Sequence, residues 1–278
     1  MKFAFVVLHY MTYEDTVECI ESIRLLEGEK DIVVVDNASP NDSGERLEKA
    51  YKDTKGVYVL LNQQNLGFAK GNNVGYRYAK EILGSDYIVL INNDTVIKQA
   101  DFCHRIRKID EGKQFHVLGP KIISMVDGMN QNPVPFALNS GYRIFRRTVK
   151  FILLYLTSFI GLDTSLSKND KKQEYSMEEM GDYQLFGCCL IFSPEYIVRY
   201  DGIYDGTFMY AEEDILKWQC VKNNLTMIYD DSVEMFHKEG SSTNKTYGKS
   251  VGRRRFYYRN VLKSLVCVIK VFTGIDKV

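Results

Sequence analysis

Several features common in proteins are missing from this chain of 278 residues, and each absence removes a class of protein. No stretch of about 18–20 consecutive apolar residues occurs, so no helix is expected to span a bilayer. The opening run Met1–Leu8 is too short for a secretory signal and meets His9 where a cleavage site should lie. The six cysteines include no Cys-x-x-Cys pair, which argues against a disulfide framework and a zinc knuckle. They are expected to be small buried hydrophobes in a reducing compartment. Neither charge is in excess, with 36 Lys+Arg against 36 Asp+Glu, which argues against a generally basic nucleic-acid binder. After the first apolar run stands His9-Tyr10-Met11-Thr12, not the Gly-x-Gly-x-x-Gly of an NAD-type dehydrogenase. No Gly-x-x-x-x-Gly-Lys-Ser/Thr loop is present, which disfavours a P-loop NTPase. There is no internal repeat and no low-complexity linker. What remains, 45% hydrophobic and 26% charged, is ordinary for a globular protein with a substantial core.

The charge balance is an average over unlike regions. Gly128–Leu162 holds no acid but carries Arg143, Arg146, Arg147 and Lys150. Gly240–Ile275 holds none either, and carries Lys245, Lys249, Arg253, Arg254, Arg255, Arg259, Lys263 and Lys270. Each stretch contains an apolar run, Phe151–Leu156 and Leu265–Ile269, too short to span a membrane. Basic residues beside such a run fit a segment lying on an anionic membrane surface. A solvated basic face over a core helix fits equally well.

Periodicity gives an alternating order of elements. Strands are expected at Phe3–Leu8, Ile32–Val35, Val57–Leu61 and Tyr87–Ile91. Between them, helices are expected from Thr12, a capping residue, through Leu26, over Ser43–Tyr51 and over Phe68–Leu83. Parallel strands need such crossovers, so the expected fold is α/β, with a mainly parallel sheet and helices on both faces. After about Asp110 the rhythm loosens. A strand is expected over Gly187–Phe192, a helix start at Ser193-Pro194, a helix over Tyr210–Asn223, a strand over Thr226–Tyr229 and a final helix over Gly252–Phe272. Residues 127–180 give no clear pattern.

In open α/β sheets, ligands bind beyond the carboxyl ends of the strands. Here those ends carry His9-Tyr10, Asp36-Asn37, Asn62-Gln63 and Asn92-Asn93-Asp94. Each alone reads as a turn or cap. Four on one sheet edge line a crevice. Asp36 suits ribose or base donor groups, because a carboxylate accepts from hydroxyl and imide. Asp94 suits a divalent cation holding a diphosphate, because hard cations prefer oxygen ligands and let substrate phosphates complete the shell. Further on, Glu212-Glu213-Asp214 open a helix behind Phe208-Met209-Tyr210. The macrodipole explains acids there but not the aromatic run before them. His237 follows a strand, and a lone His is more often structural than functional unless a metal partner is nearby. At Gly187-Cys188-Cys189 small residues permit either close ligand approach or plain packing.

These residues carry a family resemblance. The segments Val34–Ser39, Asn65–Gly75, Leu90–Thr95, Gly187–Ile191 and Phe208–Asp214, in this order and spacing, resemble the family 2 inverting glycosyltransferases of the GT-A fold. The likeness is greatest to bacterial enzymes that build cell-surface polysaccharides, and it covers roughly residues 3–240. The resemblance implies a GT-A catalytic domain over 1–240, with a nucleotide-sugar half to about 110 and an acceptor half over 111–240. A basic and apolar helical extension over 241–278 follows. It implies that Tyr10 packs on the base, that Asp36 contacts base or ribose, and that Asn65, Gly67 and Asn72 close over the nucleotide. By the same resemblance, Asp94 and His237 bind Mg2+ or Mn2+, Glu213 is the catalytic base, and Asn92, Glu212 and Asp214 support them. The implied partners are a nucleotide-sugar donor and a glycan or lipid-linked oligosaccharide acceptor. The implied location is cytoplasmic, peripheral on the inner face of the plasma membrane if the two basic stretches face lipid. Two departures stand out. Asn92 replaces the first Asp of the Asp-x-Asp motif, and His9 and Met11 stand where Asn is frequent, which leaves the base preference open. Competing readings are a sugar-nucleotide pyrophosphorylase, whose Gly-rich basic loop is missing, and a non-catalytic glycan- or nucleotide-binding scaffold of the same fold.

Overall fold

Side chains along β1 (Phe3–His9) alternate between two cores, as a strand with both faces covered requires. Phe3, Phe5 and Val7 pack on one side of the sheet, and Ala4 and Val6 on the other. The computed structural model describes residues 1–166, 180–239 and 251–278. The first half follows the expected rhythm: α1 (Tyr13–Arg24), β2 (Lys30–Asp36), α2 (Ser43–Tyr51), β3 (Val57–Leu61), α3 (Phe68–Arg77) and β4 (Tyr87–Asn92). α3 ends in a single π-helical turn over Tyr78–Ile82. A short β5 (Thr95–Val96), α4 (Phe102–Lys113) and β6 (Val117–Ser124) come next. The remaining elements are β7 (Val134–Pro135), α5 (Gly141–Thr157), α6 (Asp163–Leu166), β8 (Tyr183–Gln184), β9 (Cys189–Phe192), α7 (Pro194–Arg199), α8 (Glu212–Lys222), β10 (Met227–His237) and α9 (Val251–Thr273).

Eight strands form one sheet in the order β3-β2-β1-β4-β9-β6-β10-β5, and β7 pairs with β8 apart from it. β3, β2, β1 and β4 are parallel neighbours, and β6 with β10 is also parallel. β9 runs antiparallel to both β4 and β6. Helices α1, α2 and α4 cover one face through Ile20, Ile23, Leu47 and Ile106. On the other face, α3, α7 and α8 contribute Tyr76, Tyr196 and Leu216. The α/β class with helices on both faces is therefore the observed one.

A third core lies away from the sheet. There Ile144, Phe151 and Leu154 of α5 meet Tyr258, Val261, Leu265 and Val268 of α9, and Ile215 of α8 joins them. The final helix is thus packed on the body of the protein along one side. Of the two readings open for its basic and apolar sequence, that side is core. Lys245 and Lys249, the 240/241 boundary and residues 167–179 of the patternless region 127–180 lie outside the described residues.

Two local expectations change. Thr12 precedes α1 but makes no side-chain capping bond. Its hydroxyl accepts instead from Asn93 Nδ2 at 2.6 Å, and Thr16 Oγ1 accepts from the same amide at 2.8 Å. A buried amide needs acceptors more than an exposed helix start needs a cap, and the result ties the loop after β4 to α1. The strand expected to end at Tyr229 continues to His237. Its register against β6 shifts between Asp230 and Glu234, opposite Pro120 and Lys121. Pro120 has no N–H to give to the ladder, and the bulge in β10 accommodates it inside a sheet.

Gly67 enters α3 with φ +82°, and a Cβ there would sit 2.2 Å from the Phe208 carbonyl oxygen. That same carbonyl accepts from Phe68 N–H at 2.7 Å. Gly67→Ala is therefore expected to lower unfolding free energy by about 1–3 kcal/mol, from left-handed strain plus backbone displacement. Gly112→Ala, in α4 with open space around its Cβ position, should be neutral or slightly stabilising. Urea denaturation of both variants checks the contrast.

Candidate active site

The carboxyl ends of the parallel strands are knitted together by side-chain amides and hydroxyls. Asp36, at the end of β2, is buried and accepts from Ser39 N–H at 3.1 Å and Ser39 O–H at 2.5 Å. Ser39 Oγ also accepts from Met11 N–H at 2.9 Å, so the turn carrying Tyr10 is fixed to the turn after Asp36. Asn37 donates to Asn65 Oδ1 at 3.1 Å and to the Gly67 carbonyl at 3.0 Å, while its own Oδ1 accepts from Leu66 N–H at 2.9 Å. One buried amide thereby shapes the loop from Asn65 to the start of α3. Asn72, one turn into α3, is buried and donates to the Phe68 carbonyl at 3.0 Å. His9 is fully buried between Thr16 Oγ1 (2.6 Å) and Ser43 Oγ (2.8 Å), and burial lowers its pKa to about 4. It is a neutral strut between α1 and α2, ahead of the turn that carries Tyr10 and Met11.

At the other side of the sheet edge, β4 and β10 bring Asp94 and His237 together. His237 Nε2 lies 3.3 Å from Asp94 Oδ1, both side chains nearly buried. The backbone secures the approach, because Lys238 N–H donates to the Asp94 carbonyl at 2.9 Å and His237 pairs with Thr95 across β5. Gln131 Oε1 sits 2.8 Å from His237 Nδ1. An acceptor at Nδ1 directs Nε2 toward Asp94, the arrangement in which an imidazole serves a metal. Among the described residues, no group of three or more His, Cys, Asp or Glu side chains gathers to hold a metal. One carboxylate and one oriented imidazole nevertheless fit a divalent ion whose shell is completed by substrate oxygens. Asn92 is not an acid, but its backbone and side chain flank the same strand end.

A cavity of about 410 Å3 opens at the Glu213 turn, and Tyr10, Asp36, Asn65, Asn72, Asp94 and His237 are not among the residues that line it. Asn92, Gly187, Cys188 and Glu213 form one wall, and Arg147 of α5 with Tyr257 of α9 lies among the facing residues. Glu213 reaches Gly187, whose N–H donates to its Oε1 at 3.2 Å. A Cβ on residue 187 would lie 2.4 Å from that oxygen, so close packing, here against a carboxylate, explains the glycine. Cys188 links the two halves of the site. Burial raises its thiol pKa well above the ordinary range, and the carboxylates of Asp94 and Glu213 both push it further. Phe186, also in the wall, has its ring centroid 6.0 Å from that of His237.

The turn that presents Glu213 is strained. Tyr210 and Ala211 have φ of 78° and 66°, sparsely populated for residues with a Cβ. Three carboxylates follow in the first turn of α8, and burial raises the pKa of each: Glu212 to about 8, Asp214 to about 7, and Glu213 in the same direction. The Glu213 charge adds to the shift of both neighbours, and Arg147 opposes the shift of Glu213 and Asp214. Burial therefore makes Glu213 hold a proton more readily than an exposed carboxylate does.

Arg147 is the residue that sequence reasoning misplaced. It was grouped with Arg143, Arg146 and Lys150 as surface charge, yet it lines the cavity and stacks 5.6 Å from the centre of the Phe151 ring. Helical spacing carries the signal, since Ile144, Phe151 and Leu154 are the buried residues of α5 and Arg147 falls in their stripe. The contributions of Tyr257, Val261 and Leu265 from α9 to the cavity carry no local signal of this kind.

A family model described as Glycosyl transferase family 2 matches residues 5–166. The low-salt glycan biosynthesis hexosyltransferase Agl10 of Haloferax volcanii is 22% identical over 236 residues, covering 84% of this chain and 66% of that protein. The glycosyltransferase GlyG of Streptococcus pneumoniae serotype 4 is 30% identical over 95 residues, 34% of this chain and 30% of that one. This chain spans less than two thirds of the length of each. Among solved structures, S. aureus TarS 1–349 in complex with UDP-GlcNAc is similar with a TM-score of 0.55 and 17% identity, over 89% of this chain and 62% of that one. GalNAc-T7 with UDP, GalNAc and Mn2+ is similar with a TM-score of 0.59 and 12% identity, over 86% and 44%. At these identities the structural likeness establishes the fold.

The raised carboxylates make stability depend on pH. Between the ordinary value of 4.5 and about 8, folded Glu212 retains a proton that the unfolded chain has released. Stability from this group is therefore lost as pH rises through that window. Glu212→Gln should melt roughly 2–4 °C above the parent at pH 8 and nearly with it at pH 5, read by differential scanning fluorimetry. An equal difference at both pH values would contradict the assignment.

Proposed function

This chain belongs to glycosyl transferase family 2, and from that premise we propose that it moves a sugar from a nucleotide-sugar donor to an acceptor hydroxyl, with inversion at the anomeric carbon. The observation that carries this reading is convergence. Glu213 and Asn92 share a cavity wall, and Cys188 between them feels both Glu213 and the Asp94 paired with His237. The donor nucleotide is assigned to Tyr10, Asp36, Asn65, Gly67 and Asn72, the elements tied together by Ser39 and Asn37. This makes residues 1–110 the donor half. The acceptor half is assigned to 111–240 together with α9, which supplies cavity-wall residues.

In the proposed reaction, Glu213 accepts the proton of the acceptor hydroxyl as that oxygen attacks. Burial raises its pKa, which favours proton acceptance, while Gly187 N–H and the Arg147 charge oppose that shift. Asp94 and His237 would hold Mg2+ or Mn2+, which when bound supplies Lewis-acid stabilisation of charge on the departing diphosphate. Glu212 and Asp214 support the turn from buried positions, with Thr207 O–H donating to Glu212 at 2.8 Å. The relatives named in glycan biosynthesis and the chain's own basic and apolar stretches support a surface-polysaccharide role with a glycan or lipid-linked acceptor. No helix among the described residues is long and apolar enough to cross a membrane. The proposed location is the cytoplasmic side of the plasma membrane.

Three variants test the assignment against a panel of sugar nucleotides with Mg2+ or Mn2+. The correct donor should raise the melting temperature of the parent, because it binds only the native state. Asp94→Ala should lose the metal-dependent part of that rise. Glu213→Gln should keep the rise and lose about 10²–10⁴-fold in turnover, and near-normal turnover would remove Glu213 as the base. Arg147→Leu removes the positive charge that favours ionised Glu213, so the acid limb of its pH–rate profile should move to higher pH. An unmoved limb would mean that Glu213 does not govern it.

A further inference from the structure

The outer side of α5 carries large apolar side chains that are exposed to solvent. Phe145 is 66% exposed, Leu153 52% and Leu156 58%, and Tyr142, Val149 and Ile152 are exposed with them. At 100° per residue these six fall within roughly a 100° arc, directed away from the stripe that packs on α9. The arc continues past the helix end, where Phe159, Ile160 and Leu162 are also exposed. Along one border of it stand the exposed cations Arg143, Arg146 and Lys150. A shallow groove of about 450 Å3 runs between the apolar and the basic side chains, lined by Phe145, Arg146, Val149, Lys150, Leu153 and Leu154.

Contiguous apolar exposure of this kind marks a docking surface. Its charge selects the occupant. No acid occurs from Gly128 to Leu162, so the face is purely cationic and apolar. α5 has 17 residues, fewer than the roughly 20 needed to span a bilayer. A helix with a polar border, aromatic and aliphatic side chains on one face and a firmly packed opposite face suits the plane of a lipid interface. The second basic stretch is unlike the first. Arg254 is paired with Asp163 at 2.7 Å, and Arg255 donates to the Ser158 carbonyl at 3.0 Å and lies over the Phe159 ring. These arginines fasten α9 to the turn after α5. Arg254 and Arg255 of the second stretch are thereby committed to holding α9, while Arg259, Lys263 and Lys270 stay exposed; the larger exposed apolar face is that of the first stretch.

We propose that the outer face of α5 with its following turn docks on an anionic lipid surface and presents the cavity to an acceptor anchored in that surface. Arg147, on the same helix, faces the cavity while Phe145 and Leu153 face outward, so docking and acceptor entry are coupled through one rigid element. This rests on the glycosyltransferase reading for the acceptor, but the docking itself can be measured without any sugar.

The full chain is floated with vesicles of pure phosphatidylcholine and of phosphatidylcholine with 30% phosphatidylglycerol, at low and high salt. The expected result is flotation with the anionic vesicles at low salt, several-fold weaker with the neutral ones and reduced by salt. The double variant Phe145→Asp/Leu153→Asp should lose at least tenfold in vesicle binding. Its melting temperature and donor-induced thermal shift should stay those of the parent, because neither residue is buried. Failure of the parent to float at low salt, or unaltered flotation of the double variant, overturns the proposal. So does concentration-dependent dimerisation abolished by the same double variant without vesicle binding, since a second copy would then be the occupant. A donor panel that gives no thermal shift while flotation follows the expected pattern would instead overturn the glycosyltransferase reading and leave the docking face standing.

Discussion

Three consecutive carboxylates are forced out of water at the start of one helix, and the architecture around them follows from that constraint. A helix N-terminus favours an anion by about 0.3–1 kcal/mol, and up to about 2 when partly buried. Desolvation acts the other way. It wins here, because Glu212, Glu213 and Asp214 all have raised pKa values despite lying in the first turn of α8. The turn that holds them has two left-handed residues with side chains, and it keeps its shape because neighbours from three directions grip it. Phe68 N–H from α3 binds the Phe208 carbonyl, Ser264 O–H from α9 binds the Met209 carbonyl at 2.9 Å, and Gly187 N–H before β9 binds Glu213. Donor-side helix, final helix and central strand thus share one anchoring point. A buried carboxyl needs this degree of support, since a loose turn would let water reach it and return its pKa toward the ordinary range.

Residues 1–110 were readable because their signals are local. Strands of apolar β-branched residues, helices at regular spacing and turn residues between them fall within a few residues of where α2, β3 and β4 lie. The segment from α4 to β6 was not readable for a specific reason. Gly119-Pro120 interrupts the apolar run of β6, and proline in a central strand argues against a strand unless a bulge faces it. That bulge is in β10, more than a hundred residues away, and its Asp230-Asp231-Ser232 sequence itself resembles a turn. Each half of the pair hides the other, and only their pairing shows why both are permitted.

The site divides in the same way. Asp94 and His237 could be named from sequence, but the distance of 3.3 Å between them depends on β5 and β10 meeting antiparallel at the sheet edge. Asn93 looked like part of a turn, and it proves to be the buried amide that fixes the Asp94 loop to α1 by occupying the hydroxyl expected to cap that helix. Arg147 was hidden by composition. A cluster of four cations invites one explanation, while helical geometry separates them into three on the outside and one on the cavity wall.

That separation bears on how the third core is built. α5 and α9 bury their facing sides against each other and against Ile215 of α8, so the helix carrying Arg147 is held in register with the helix carrying Glu213. Shifting α5 along its axis would move the guanidinium relative to the base and disturb the third core at the same time. Packed cores resist continuous deformation, so the spacing between cation and base is set by apolar contacts and not by a salt bridge. A direct ion pair would have lowered the Glu213 pKa further and reduced its strength as a base. An arginine near enough to act through its field, and set against the Phe151 ring instead of the carboxylate, opposes the upward shift of Glu213 without cancelling it.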